Sequence, residues 1–203
     1  WQAQGLDLGV TVNLAPRLVR DTDFADRLLR LLQQFELAPS RFVLEVIESE
    51  SVRDRELVGD AMARVRAHGI GLSLDDFGAG HSSLTELYRL PFSEIKIDRS
   101  LIHDSGRSAK AATIVQGIIE LAHRLSITVC AEGVETPETF AFLEEAGCDA
   151  MQGVLLAKPV TAAEIDKIAG SWAPDKAAAT LKSRMRAAPG AATSPKTHAV
   201  PTR

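Results

Sequence analysis

The sequence has only two cysteines in 203 residues, Cys130 and Cys148, and their spacing matches no metal-ligand pattern. They read as free, mostly buried thiols of a reducing cytosol, not as a disulfide framework or a zinc site. No apolar run approaches the ~20 residues that span a bilayer, and no charged-then-apolar leader opens the chain. The expected location is cytoplasmic, with any membrane anchor lying in an upstream region. Positive charge is also scarce in the body. The chain carries −4 overall, but residues 171–203 hold six basic residues against one acidic, or +5, which leaves −9 for the rest. An acidic body argues against an open face for a nucleic-acid polymer and suits a protein that collects divalent cations.

What is present is ordinary for a globular domain: 45% hydrophobic and 25% charged residues. Residues 1–170 carry a periodic pattern and read as one domain. Residues 171–203 read as a basic, Ala/Pro-rich tail that lacks the apolar content to pack and is expected to be flexible. Within the domain, short β-rich runs alternate with amphipathic helical patterns. The predicted strands are 9–14, 41–47, 70–76, 94–98, 128–132 and 150–156. Helical patterns include 23–37, started by Thr22 or Asp23, then 57–69 with Gly69 as its C-cap, and 108–126. Such βα alternation implies a parallel sheet, either an open doubly wound sheet or a (β/α) barrel.

Side-chain parity chooses between them. Leu72 and Leu74 share a face opposed by Ser73 and Asp75; Ile95 and Ile97 oppose Lys96 and Asp98. Leu44 and Val46 oppose Val43 and Glu45. An open sheet covered on both sides wants apolar residues on both faces. A barrel wants apolar residues outside and working residues inside, at the C-terminal rim of its strands. The predicted fold is therefore a TIM-type (β/α) barrel with six of eight units in these residues, its first strands and helices lying before Trp1. The rim would gather Asn13, Glu45, Asp75, Asp76, Lys96, Asp98, Glu132 and Gln152. This oxygen-rich set suits Mg²⁺ or Mn²⁺. The adjacent Asp75 and Asp76 could serve a pair of ions ~3.5–4 Å apart, as in two-metal hydrolysis of phosphate esters.

The segments VNLAP (12–16), LEVIES (44–49), LDDFGAGHSSL (74–84), IKIDRSLI (95–102), AEGVETPE (131–138) and QGVLLAKP (152–159) resemble the successive motifs of EAL-domain proteins. These are bacterial phosphodiesterases that linearise cyclic di-GMP. The resemblance runs over about residues 1–160. It implies that Asn13, Glu45 and Asp75 ligate one metal ion and that Asp75, Asp76 and Glu132 ligate or face a second. Lys96 would hold the attacking water, with Glu132 also handling protons. Gln152 would contact water or substrate, Glu135 would buttress the site, and Pro159 would line the substrate. Glu48 would hold the loop after Asp76, placed from Phe77 and Gly78 to Ser83, and Asp98 would support it. The implied product is linear pGpG, and the implied partners are a second copy docked through the loop and helix after Asp76 and an upstream sensor or cyclase domain.

The sequence departs from the family pattern at several points. The Glu-Ala-Leu tripeptide, whose Glu ligates metal in the family, is not among these residues. Ile47, Ala79 and His81 replace usual residues of the motifs, and Val154 and Leu156 stand where aromatics are common. The competing reading is a binding module, a catalytically inactive EAL-type receptor for cyclic di-GMP. Retention of the rim carboxylates, Lys96 and Gln152 favours the enzyme. A third reading, a barrel acting on a phosphorylated metabolite, lacks the late glycine-rich phosphate loop it needs.

Overall fold

Short apolar runs, most of them rich in Val, Ile and Leu, become parallel strands because helices cover one face of the central ones. In this computed structural model, residues 1–171 are described except 7, 16, 17, 19, 20, 22, 48–54 and 80–83. The strands are β1 (Val10–Asn13), β2 (Phe42–Ile47), β3 (Gly71–Phe77), β4 (Glu94–Ile97), β5 (Thr128–Ala131) and β6 (Ala150–Met151). They pair in parallel in the order β1-β2-β3-β4-β5-β6. A doubly wound sheet would reverse its strand order at a switch point. Sequential order with crossovers of one hand instead puts every helix on the same side and curls the sheet into part of a barrel. The described sheet is a partial TIM-type barrel, as side-chain parity predicts.

The helices among the described residues are α1 (Phe24–Gln34), α2 (Arg55–Ala67), α3 (Leu84–Arg89), α4 (Arg99–Ser105), α5 (Ala109–Arg124), α6 (Pro137–Glu145) and α7 (Ala162–Ser171). Their starts follow from local chemistry. The Ser108 hydroxyl accepts from Ala111 N at 3.4 Å, and the Thr136 hydroxyl accepts from Thr139 N at 3.2 Å ahead of Pro137. Asp23 occupies the N-cap of α1 but makes no side-chain cap bond. Gly69 turns the chain after α2 at φ +87°. The core lies between helices and sheet. Leu44, Leu72, Leu74, Phe77, Ile95, Ile97 and Val129 are buried there with Val115 and Ile119 of α5.

Two expectations change. Phe77 belongs to no loop: it ends β3, pairs with Ile97 and is buried in the core, because its outward parity carries it under the helices. The last predicted strand, 150–156, shrinks to Ala150–Met151, and the chain then turns, with Leu156 N and Ala157 N both donating to Gly153 O at 3.1 Å. Gly153 makes this turn. An added β-carbon there would stand 2.1 Å from Val134 O and 2.4 Å from Val134 N. The closeness lets Val134 N donate to Gln152 O at 3.0 Å, which joins the chain after β5 to the chain after β6. Glu48 and residues 80–83, including His81, lie outside the described residues, as does the tail beyond Ser171.

Gly153→Ala should therefore destabilise the fold by about 3 kcal/mol, since backbone and not a flexible side chain meets the new methyl. Urea unfolding of the two proteins measures this, and a change below about 1 kcal/mol would refute the close-packed turn.

Candidate active site

The register of β2, β3 and β4 decides which side chains meet inside the barrel. Glu45 lies level with Ser73, and Asn13 on β1 lies level with Glu45. Leu74 pairs with Ile95, so Asp75 stands level with Lys96, and the next pair is Phe77 with Ile97. Two residues of β3, Asp75 and Asp76, thus face one residue of β4: a β-bulge. Asp76 takes φ +59°, the left-handed region that Asp tolerates better than most residues at a cost of ~1–2 kcal/mol. In a regular strand, neighbours point to opposite faces. The bulge undoes that alternation, and oxygens of Asp75, Asp76 and Glu132 converge so that one from each lies within 4.8 Å of the others.

Lys96 underlies the cluster. It is buried, with Nζ 2.6 Å from Glu45 Oε1, in contact with Glu132 Oε1 and 3.5 Å from Asp75 Oδ1. The Asp75 separation satisfies an ion pair but not a hydrogen bond, and among the described residues the buried Asp75 Oδ1 has no hydrogen-bond partner. Ser73 Oγ, also buried, lacks one too. Burial on its own pushes Lys96 down, but hydrogen bonds to Glu132 and Glu45 outweigh it and hold the ammonium above the usual lysine range. Its stabilising contribution is therefore complete below the unfolded lysine pKa and is lost only in strong alkali. Burial raises Glu132, with Lys96 opposing and Asp75 and Glu45 adding repulsion. Burial also raises Asp76, with Asp75 and Asp98 adding to the rise and Lys96 and Arg99 opposing it.

The other predicted residues divide. Asp98 caps α4, its Oδ1 accepting from Ser100 N at 3.0 Å, and its own N–H donates to Phe77 O at 3.0 Å. It supports the end of β3 through its backbone and repels Asp76 through its charge. Gly78 takes φ +98° where a β-carbon would come within 2.9 Å of Leu101 Cδ2. Asn13, Gln152, Glu135 and Pro159 are exposed. The backbone of Gln152 is fixed by donation to Ala131 O at 2.8 Å. Cys130, on the inward row beside Lys96, is buried, and its thiol is pushed up to about 12 by burial; Cys148 is raised to about 11, again chiefly by burial.

The sequence matches the EAL domain family over residues 1–159. The chain belongs to the EAL-domain family. It is 36% identical over 166 residues to a cyclic di-GMP phosphodiesterase of Pseudomonas aeruginosa, covering 82% of this chain and 28% of that protein. Identity to MucR of the same organism, a bifunctional diguanylate cyclase/cyclic di-GMP phosphodiesterase, is 38% over 159 residues, covering 78% and 23%. The chain spans about a quarter of the length of these curated relatives. Among solved structures it is similar to the MucR phosphodiesterase in complex with c-di-GMP, at TM-score 0.73 and 37% identity, covering 81% of this chain and 66% of that one. The EAL domain of Mycobacterium smegmatis DcpA gives TM-score 0.79 and 31% identity over 84% and 77%. The manganese/cy-diGMP complex of Klebsiella pneumoniae BlrP1 at pH 6 gives 0.71 and 34% over 77% and 41%.

Within this EAL domain, the sequence pointed to Lys96 and the four carboxylates but not to the two ion pairs that tie Lys96 to Glu45 and Glu132. Removing the cation while keeping its volume, as in Lys96→Met, should cost about 3–5 kcal/mol at pH 8, because buried carboxylates lose their partner. Glu132, already raised by burial, then rises further, so its protonation favours the folded state and the loss should shrink by pH 5. Chemical denaturation of both proteins at the two pH values, without added metal, tests this; a loss that does not vary with pH would show that the carboxylates do not depend on Lys96.

Proposed function

We propose that this site hydrolyses one phosphodiester of cyclic di-GMP to linear pGpG. The observation that carries the reading is the convergence of Asp75, Asp76 and Glu132 over a buried Lys96, in a chain 36–38% identical to named cyclic di-GMP phosphodiesterases. The donor set fits hard divalent cations: it is all oxygen, and among the described residues the buried Asp75 Oδ1 accepts no hydrogen bond. Asp75, Asp76 and Glu132, with Glu45 and Asn13 extending the set, are the residues to hold two Mg²⁺ or Mn²⁺ ions, which when bound lower the pKa of water and neutralise phosphate charge.

The protein groups divide the remaining work. Water forms the new bond to phosphorus as the bond to the ribose oxygen breaks in line. Lys96 is an ammonium throughout the neutral range and cannot accept the proton of that water. It orients the water and offsets negative charge at the phosphate. Proton acceptance falls to a carboxylate, and Glu132, raised by burial, is the group best matched to it. Gln152 and Pro159 contact the substrate side of the rim, and Glu135 buttresses it.

The test is incubation with cyclic di-GMP and Mn²⁺ followed by chromatographic separation of pGpG. It uses this chain and, where the gene encodes residues before Trp1, that longer product. The longer product should release pGpG; the 203-residue chain, without the tripeptide Glu, should be ~10²–10³-fold slower or inactive. Lys96→Met should abolish turnover yet retain Mn²⁺ binding by calorimetry, whereas Asp75→Ala should weaken Mn²⁺ binding more than Asp76→Ala. Nucleotide bound but left uncut by the longer product would hand the site to the receptor reading.

The same family reading extends to assembly. Leu84 and Tyr88 lie four residues apart on α3, so they share one side of the helix, and they are 60% and 88% exposed. A second copy covering them explains large apolar side chains left in water directly after the segment that follows Asp76. Tyr88→Glu should convert a dimer to a monomer in analytical ultracentrifugation. A wild-type chain already monomeric at tens of micromolar would overturn this pairing.

A further inference from the structure

Arg99 stands at the carboxylate rim and takes no part in its network. It opens α4 directly after Asp98, whose carboxylate accepts from Ser100 N and so fixes the first turn. Its stem lies against Gly133, the residue after Glu132. A β-carbon on Gly133 would come within 2.6 Å of the Arg99 β-carbon, so only glycine lets the two strand ends approach this closely. Arg99 is therefore anchored above β4, between Asp76 at the end of β3 and Glu132 at the end of β5.

An exposed arginine among carboxylates ordinarily pairs with one of them. Lys96 is already engaged with Glu45, Glu132 and Asp75. Among the described residues, the Arg99 side chain makes no hydrogen bond and no ion pair, although Asp98 precedes it and Glu132 precedes the Gly133 that its stem meets. The guanidinium is thus an anchored cation whose donors are left for a ligand. Its planar fork matches two oxygens of a phosphate.

We propose that Arg99 binds the second, uncleaved phosphate of a cyclic dinucleotide and selects substrates carrying two phosphates over simple phosphodiesters. This rests on the hydrolase reading above. A cyclic dinucleotide with one phosphate at the carboxylate cluster must set its other phosphate beside that cluster. There the carboxylates repel it, and Arg99, unlike Lys96, has donors to spare. Lys96, buried beneath the acids, serves the cleaved phosphate.

The test compares the wild-type chain with Arg99→Ala and Arg99→Lys by titration calorimetry. Three ligands are used: Mn²⁺ alone, cyclic di-GMP with Ca²⁺ in place of Mn²⁺ to slow cleavage, and bis(p-nitrophenyl) phosphate, which has one phosphodiester. Arg99→Ala should weaken cyclic di-GMP binding about 10-fold or more, with Arg99→Lys between the two. Affinity for Mn²⁺ and for the single phosphodiester should stay within about twofold of wild type. Equal weakening of both phosphodiesters would overturn the proposal, because Arg99 would then act through Asp76. Unchanged cyclic di-GMP affinity in Arg99→Ala overturns it as well, leaving the hydrolase reading in place. A wild-type chain that binds neither phosphate compound overturns both.

Discussion

A single ammonium group, that of Lys96, organises the inner face of this sheet. Four carboxylates would not gather at a buried strand end unaided, since each carries a desolvation cost and repels the others. Lys96 reaches Glu45 on β2, Asp75 on β3 and Glu132 just after β5 from its place on β4. It therefore spans the width of the site with one charge. A buried ion pair contributes little net stability against a hydrophobic alternative, but breaking it is costly. Its value here is positional: one cation against several acids leaves an excess of negative charge directed at the rim, which is what a divalent cation requires.

The bulge at Asp76 supplies the other half of the arrangement. Because Phe77 pairs with Ile97, the strand resumes its outward parity immediately afterwards, and the core does not register the extra residue. Backbone strain is confined to one position, where it turns a side chain that alternation would send outward into a partner for Asp75. Strain of this kind persists when surrounding packing over-determines it, and it concentrates at functional positions. Phe77 below and Gly78 against Leu101 are the packing that does so.

Much of this was legible in the sequence. Strand parity separated Leu72, Leu74, Ile95 and Ile97 from Glu45, Asp75 and Lys96, and that separation alone distinguished a barrel from a doubly wound sheet. What escaped has two physical sources. Period-two reasoning assumes an unbroken ladder, so parity put Asp75 on the inward face, while Asp76 reached the rim only as its neighbour and the bulge that turns it inward was not foreseen. Local composition likewise made 150–156 look like a strand, since Val154, Leu155 and Leu156 have strand character; the close approach of Gly153 to Val134, a contact between segments some 20 residues apart, turned them away. The Asp98 cap was recoverable from sequence, for Asp followed by Arg-Ser-Leu-Ile is a plain helix start.

Cys130 shares the inward row with Lys96, yet burial holds its thiol as the neutral S–H form. Only a thiolate attacks electrophiles, reacts readily with peroxide or captures soft metals. The site therefore stands beside a sulfur atom without inheriting its liabilities: zinc and copper gain no thiolate ligand to outbid the hard cations, and oxidants find little to consume. A rim cluster built from carboxylate oxygens and one lysine nitrogen is in this sense indifferent to the redox state of its surroundings, even with a cysteine one strand away.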